Sequence, residues 1–243
     1  MAGIVHSFES LAALDGEGLR CAVFLAGCPL RCAYCHNPDT WNPRAGKEIG
    51  AEELAQKIAR YRPYFGERGG VTFSGGEPLL QAEFLCELMP LLAERGIGYV
   101  IDTSGGVALT DSVRTALAGA QSVLLDLKFY DDESYRRYTG HPMEPTLATL
   151  RYLNEIGKRV RIRIVIVPEL NDRAELLDRY LEYLRDMRCV ERVELLAFHT
   201  MGFFKYGELG IENRLADTPP LDPQKREQLQ AYVNQKLKDM RGF

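Results

Sequence analysis

Arg20-Cys21-Ala22-Val23-Phe24-Leu25, followed by Ala26-Gly27-Cys28-Pro29-Leu30-Arg31-Cys32-Ala33-Tyr34-Cys35-His36, reads as a buried strand that runs into a loop holding three cysteines. The strand has almost no polar alternation, which is the pattern of a strand covered on both faces. Further strand-like runs follow at Gly70–Phe73, Gly98–Asp102, Ser122–Leu127, Val160–Val167 and Arg192–Phe198. Helical periodicity fills the intervals at about 50–61, 79–95, 110–118, 146–157 and 172–187. A last helix at about 222–240 is led by Pro219, Pro220 and Pro223. Strands alternating with helices of this length predict repeated βα units and a parallel sheet, an α/β fold. Periodicity alone leaves a partial barrel and an open doubly wound sheet both standing.

The 243 residues suit one large domain over 1–243, and no linker or low-complexity stretch divides them. A net charge of −4 argues against nonspecific nucleic-acid binding. No apolar run reaches the roughly 20 residues that span a bilayer. The N-terminal Met1-Ala2-Gly3-Ile4-Val5-His6-Ser7 lacks a charged segment followed by an apolar one, so a cytoplasmic protein with reduced thiols is expected.

Four readings compete for Cys28, Cys32 and Cys35. Free cysteines are often plain buried apolar residues. That suits the isolated Cys21, Cys86 and Cys189, but not three cysteines set among Gly, Pro, Arg and His. A zinc site would take His36 as fourth ligand, yet His36 adjoins Cys35, and adjacent residues rarely both reach one tetrahedral ion. Cys32-Ala33-Tyr34-Cys35-His36 also matches the pattern for covalent haem attachment. That chemistry belongs to exported proteins, and the export signal is missing. An iron–sulfur cube normally takes one thiolate per iron. A loop supplying three leaves one iron open, and an open metal position is a place for chemistry.

Ligand sites in parallel α/β folds gather at the carboxyl ends of the strands. Polar groups collect there in this sequence. Ser74-Gly75-Gly76-Glu77-Pro78 follows the second strand, and Asp102-Thr103-Ser104-Gly105-Gly106 the third. Asp126-Leu127-Lys128 closes the fourth, and His199 the sixth. Each has a structural explanation as well. Gly75, Gly76 and Pro78 suit a tight turn into a helix. Thr103 and Ser104 suit a helix cap. Asp126 and Lys128, two apart, share a face and could simply pair. Arg161 and Arg163 share a face of their strand, with Arg161 at the end remote from the loops and Arg163 deeper. A lone histidine such as His199 is more often structural than functional.

The Cys-x3-Cys-x2-Cys run, with Tyr34 before its last cysteine, resembles the signature of the radical S-adenosylmethionine (SAM) enzymes. His6-Ser7-Phe8-Glu9-Ser10, Asp15-Gly16-Glu17-Gly18 and Tyr34-Cys35-His36-Asn37-Pro38-Asp39-Thr40-Trp41 narrow the resemblance to the activases of glycyl radical enzymes, in particular those of pyruvate formate-lyase. The resemblance recurs along most of the chain. It implies a partial (β/α)6 barrel and an oxidoreductase with a [4Fe–4S] cluster on Cys28, Cys32 and Cys35. It further implies that the open iron binds SAM, and that one electron cleaves the sulfonium to give a 5′-deoxyadenosyl radical. That radical would take a hydrogen from a backbone glycine of pyruvate formate-lyase or a related glycyl radical enzyme.

By the same resemblance, Gly75, Gly76 and Glu77 bind the amino group of SAM through their backbone, Asp126 and Lys128 help hold its carboxylate, and Asp102 belongs to the same site. Tyr34, His36, Arg163 and His199 lie near the cofactor, with His199 toward the nucleoside. Asp102, Thr103 and Asp126 could hold a monovalent cation. Phe203, Phe204, Lys205 and Tyr206 are candidates to grip the glycine loop. Flavodoxin or ferredoxin would supply the electron. Activases with extra clusters carry added cysteines between the first motif and the Gly-Gly-Glu turn. The interval from His36 to Ser74 has none, so a single cluster is expected. The rival functions are a radical SAM enzyme acting on another glycyl radical partner or a small molecule, and a non-enzymatic metal-binding module.

Overall fold

The computed structural model describes residues 1–13 and 15–241. The expectation of one domain over 1–243 also covers Leu14, Gly242 and Phe243, which lie outside the described residues. One eight-stranded sheet organises the chain. In chain order its strands are β1 (Ala2–Ala12), β2 (Arg20–Leu25), β3 (Lys47–Gly50), β4 (Gly70–Gly75), β5 (Tyr99–Thr103), β6 (Ser122–Asp126), β7 (Val160–Ile166) and β8 (Val190–Ala197). The helices are α1 (Ala51–Ala59), α2 (Arg62–Phe65), α3 (Ala82–Glu94), α4 (Asp111–Gly119), α5 (Asp132–Thr139), α6 (Glu144–Glu155), α7 (Ala174–Glu182), α8 (Phe204–Leu209) and α9 (Pro223–Arg241).

The spatial order is β3-β1-β2-β4-β5-β6-β7-β8. From β2 to β8 every neighbouring pair is parallel. These are the six strands expected from the apolar runs, and they form the partial barrel. Strands β2, β4, β5 and β6 are buried along nearly their whole length. In β7, Val160, Ile162, Ile164 and Ile166 are buried on one face while Arg161, Arg163 and Val165 occupy the other. The two arginines therefore belong to the concave side, where Arg163 meets carboxylates from β5 and β6.

Two strands and three helices, α2, α5 and α8, add to the expected pattern. β1 pairs antiparallel with both β2 and β3 and extends the sheet beyond the parallel set. Its Ser7, Glu9 and Ser10, and Lys47 and Glu48 of β3, make these strands half exposed and polar. β3 is a short edge strand and β1 mixes polar with apolar residues, so neither carries a strong hydrophobic signal. α5 is half charged, with only Tyr135 and Thr139 buried. Its boundary signals are nonetheless legible: Asp131 accepts from the Ser134 amide at 2.7 Å, and Gly140 closes the helix at φ 70°.

The free edge of β8 is covered by α9. Leu229, Val233 and Leu237, spaced by four, are buried there. Each such side chain is worth roughly 1.5–3 kcal/mol of burial. Gln230 on the same helix accepts from the Leu195 amide at 2.8 Å and donates to the Val193 carbonyl at 2.9 Å. One amide side chain thus satisfies backbone groups that an edge strand would otherwise leave open. Among the described residues, no helix is long and apolar enough to cross a membrane.

Candidate active site

The carboxyl ends of the parallel strands surround a cleft with an accessible interior of about 230 Å³. Cys28, Cys32 and Cys35 line it, with Tyr34 and His36 from the same loop. Gly75 and Gly76, Asp102 and Thr103, Asp126 and Lys128, and Arg163 line the rest. Twelve residues singled out from sequence therefore meet at one place, although they come from five segments of the chain.

The cysteine loop is fastened on three sides. Its Arg31 and Ala33 amides donate to the Thr139 and Tyr138 carbonyls at 2.7 and 2.8 Å. The Tyr34 hydroxyl donates to the Lys128 carbonyl at 3.3 Å. The Tyr206 hydroxyl donates to the Cys35 carbonyl at 3.0 Å. Lys205 reaches Asn37 at 2.9 Å and Asp39 at 3.0 Å. Lys205 and Tyr206, expected as candidates for gripping a partner, are thus engaged with the cysteine segment, while Phe204 is exposed.

Cys28, Cys32 and Cys35 are free thiols. Burial pushes Cys28 and Cys32 up to about 12, with the Glu77 carboxylate adding to the rise at Cys28. Thiols in such surroundings are inert unless a cation compensates the thiolate. Three of them on one cleft wall are matched to metal that displaces their protons on binding. Among the described residues no group of three or more His, Cys, Asp or Glu closes on a single-ion site. A polynuclear cluster, with each thiolate on its own iron, is the metal form this donor set suits.

Gly75 sits at φ 117°, and a Cβ there would lie 2.4 Å from the Leu25 backbone. A Cβ on Gly76 would lie 2.2 Å from the Gly27 carbonyl oxygen. Both glycines are therefore required by close approach of the chain to the start of the cysteine loop. The Glu77 side chain does not line the cleft. It is wholly buried, and its carboxylate accepts from the Leu79 amide (3.1 Å), the Ser104 amide (2.9 Å) and the Thr103 and Ser104 hydroxyls (2.5 Å each). Burial raises its pKa while these four donors oppose the rise. Glu77 ties the Gly-Gly turn to the loop after β5.

The polar wall opposite the cysteines is a chain of charges. Arg163 donates to Asp102 and, at 2.9 Å, to Asp126. Lys128 pairs with Asp126 at 2.6 Å, and Ser74 donates to Asp102 at 2.7 Å. Side-chain exposure is only 10–17% for the four charged groups. Burial drives Asp102 up, to about 6, against the pull of Arg163. Burial would also raise Asp126, but Arg163 and Lys128 outweigh it and hold that carboxyl at about 2. Burial lowers and Asp102 and Asp126 raise Arg163, leaving it firmly charged. At neutral pH the wall carries two anions balanced by two cations. Thr103, meanwhile, gives its hydroxyl to Glu77.

His36 lines the cleft, and its Nε2–H donates to the His199 carbonyl at 2.9 Å. The two imidazoles stack with centroids 3.8 Å apart and planes 12° from parallel. His199 itself is not on the cleft wall and backs His36 from behind; its Nδ1 is buried without a hydrogen-bond partner among the described residues. Sequence reasoning passed over Trp41 and Asn37, which also line the cleft, and Ser74 as the partner of Asp102. Their signal was position alone, just after the cysteines or at a strand end.

A parallel α/β barrel with a triple-thiol loop after its first parallel strand and a charged wall opposite defines a metallocofactor enzyme of the cluster-binding type. Residues 23–181 match the model of the Radical SAM superfamily. The chain belongs to that superfamily and is an enzyme of the radical SAM class, using a [4Fe–4S] cluster and SAM. It is 45% identical over 237 residues to a pyruvate formate-lyase-activating enzyme of Clostridium pasteurianum, covering 97% of this chain and 98% of the relative. It is 40% identical to one of Staphylococcus aureus, covering 97% of each. Among solved structures, Streptococcus suis SuiB bound to S-adenosylmethionine superposes with a TM-score of 0.67 at 18% identity, over 88% of this chain and 46% of that one. A domain of a pyruvate-formate lyase-activating enzyme from Bacteroides vulgatus gives 0.56 at 23% identity, over 69% of this chain and 94% of that one. These structural likenesses support the fold.

Proposed function

We propose that this protein activates pyruvate formate-lyase by installing a radical on a backbone glycine of that enzyme. The observation that carries the reading is the convergence of three thiols and a balanced charge wall on one cleft. Near full-length similarity to enzymes of that name supports the choice of partner. When bound, the cluster and SAM supply a 5′-deoxyadenosyl radical by one-electron cleavage of the sulfonium.

The protein's part is to bind, orient and shield. Cys28, Cys32 and Cys35 would hold the cluster. The Gly75 and Gly76 backbone would hold the amino group of SAM and Lys128 its carboxylate, with Asp126 keeping the Lys128 ammonium in place. Arg163 locks Asp102 and Asp126 so that the wall does not rearrange as the cofactor enters. A monovalent cation at Asp102, Thr103 and Asp126 would require Arg163 to move aside first. His36 would contact the nucleoside, and Tyr34, His199 and Glu77 act through their neighbours as positioning residues. The electron comes from flavodoxin or ferredoxin, and the reaction takes place in the cytoplasm.

The test is anaerobic incubation of the reconstituted, reduced protein with SAM and pyruvate formate-lyase, read by electron paramagnetic resonance. A glycyl radical doublet on pyruvate formate-lyase is the expected result. SAM cleavage without that doublet would move the protein to another glycyl radical partner or to a small-molecule substrate. A colourless zinc protein would return it to a non-enzymatic metal module.

A further inference from the structure

The cysteine loop has an outer side as well as the cleft side. Outside, Arg31, Cys32 and Trp41 form one bank of a second groove, with Arg214 and Glu212 on the other. Cys32 and Trp41 border both spaces. The loop is therefore a partition, one residue layer thick, between the cofactor cleft and this surface.

Three guanidinium groups crowd that surface. Arg31 lies over Trp41 at 5.0 Å and donates to the Cys28 and Leu30 carbonyls at 2.7 and 2.8 Å. Arg137 lies over Tyr138 at 5.4 Å. Arg214 lies over the same ring at 5.8 Å and donates to the Arg137 carbonyl at 2.7 Å. The Tyr138 carbonyl in turn accepts from the Ala33 amide, so the ring and the cysteine loop move as one body.

All three arginines are exposed. Rings and carbonyls hold them, and none has a carboxylate at ion-pair distance among the described residues. Their neighbour Arg136, by contrast, is paired with Asp132 at 2.6 Å. Glu212 is the acidic residue in the groove, and it too makes no ion pair among the described residues. On a chain of net charge −4, this is a fixed positive face whose guanidinium charge no carboxylate neutralises among the described residues.

A cleft filled by cofactor and by a substrate chain has no room for an electron donor on that side. The electron has to enter through a wall, and the thiol loop is the thin one. We infer that the Arg31, Arg137 and Arg214 face docks a protein one-electron carrier with an acidic rim around its redox centre, and that the Cys32 segment is where the electron crosses. This rests on reading the cleft as the cluster site. The reduced carrier loses one electron and the cluster gains it; no bond forms or breaks, and no proton moves. Opposed charge raises encounter rates and fixes orientation in such transient complexes.

Reduced flavodoxin and a reduced ferredoxin are the probes. Their affinity for the cluster-loaded protein is measured against salt, together with the rate at which the visible absorbance of the cluster bleaches. The Arg137→Glu, Arg214→Glu double variant is expected to lose roughly tenfold or more in affinity and in second-order rate, with a flatter salt dependence. Iron content and bleaching by dithionite are expected to match the parent. Arg31→Glu, tested separately because Arg31 also ties the Cys28 carbonyl, should act in the same direction. The Arg137→Lys, Arg214→Lys variant, which keeps the charge, should recover most of the rate. Unchanged affinity and rate for both carriers would overturn the proposal. So would loss of glycyl radical formation in dithionite-reduced double variant, which assigns the face to the substrate enzyme. Failure of dithionite to bleach the parent protein would overturn the cluster reading itself and this proposal with it.

Discussion

Each end of the parallel sheet holds a buried arginine, and the two are satisfied in opposite ways. At the amino end Arg20 is wholly buried and donates to the Thr72 hydroxyl, the Gln121 side-chain oxygen and the Glu17, Arg68 and Val71 carbonyls. Its partners are neutral acceptors, and burial lowers its pKa to about 10. At the carboxyl end Arg163 meets two carboxylates and stays firmly charged. Arg161, two residues away on the same face of β7, pairs at 3.0 Å with Glu17, a partly exposed carboxylate shared with Arg159. Neutral partners make Arg20 a plug that closes the barrel. Charged partners make Arg163 part of the charged wall of the cleft. The difference assigns stability to one end of the sheet and chemistry to the other.

The cysteines give the largest effect with which to break that contrast. Replacing Cys28, Cys32 or Cys35 with alanine is expected to abolish the brown chromophore and all SAM cleavage, while Cys189→Ala keeps both. Iron and sulfide analysis of the anaerobically reconstituted parent should give one cubane per chain; well above that, the single-cluster reading fails.

Arg163 and Arg161 sharpen the contrast further. Arg163→Gln leaves two buried carboxylates without their shared partner and should cost about 3–5 kcal/mol in urea denaturation. It should also weaken SAM binding. Arg161→Gln removes a pair whose carboxylate is one-third exposed and keeps Arg159 as a partner, so it should cost less than about 1 kcal/mol, with SAM binding intact. Equal losses for the two variants would erase the distinction between the ends of the sheet.

The smallest effect is in the pH profile. Asp102 has a folded pKa raised to about 6, above an unfolded value of about 4. The fold therefore binds the extra proton between those values, and stability from Asp102 falls as pH rises through that window. Asp126, held at about 2, works the other way, and its contribution is lost only as pH falls below about 4. In the metal-free protein, the stability advantage of Asp102→Asn over the parent should be greater at pH 7 than at pH 4.5. Parallel profiles would show that Asp102 does not titrate in that window.

Much of this contrast is legible in the order of residues alone. The six parallel strands are written as apolar runs, and the strand-end positions of Cys28, Gly75, Asp102, Asp126 and Lys128 follow from where those runs stop. What escapes is governed by contacts distant in sequence. Nothing local tells that the Glu77 side chain turns inward to Thr103 and Ser104, 26 and 27 residues on, or that His199 stands behind His36. The pairing of Asp102 with Arg163 spans 61 residues. β1 and β3 escape for another reason, since strands that mix polar and apolar residues lack the pattern that marks buried ones.

The most direct test follows the hydrogen itself. Pyruvate formate-lyase carrying glycine deuterated at Cα is mixed anaerobically with the reduced protein and SAM, and the 5′-deoxyadenosine is weighed by mass spectrometry. The account predicts one deuterium in the 5′-methyl group, in step with the glycyl radical signal. 5′-Deoxyadenosine formed without deuterium would contradict it.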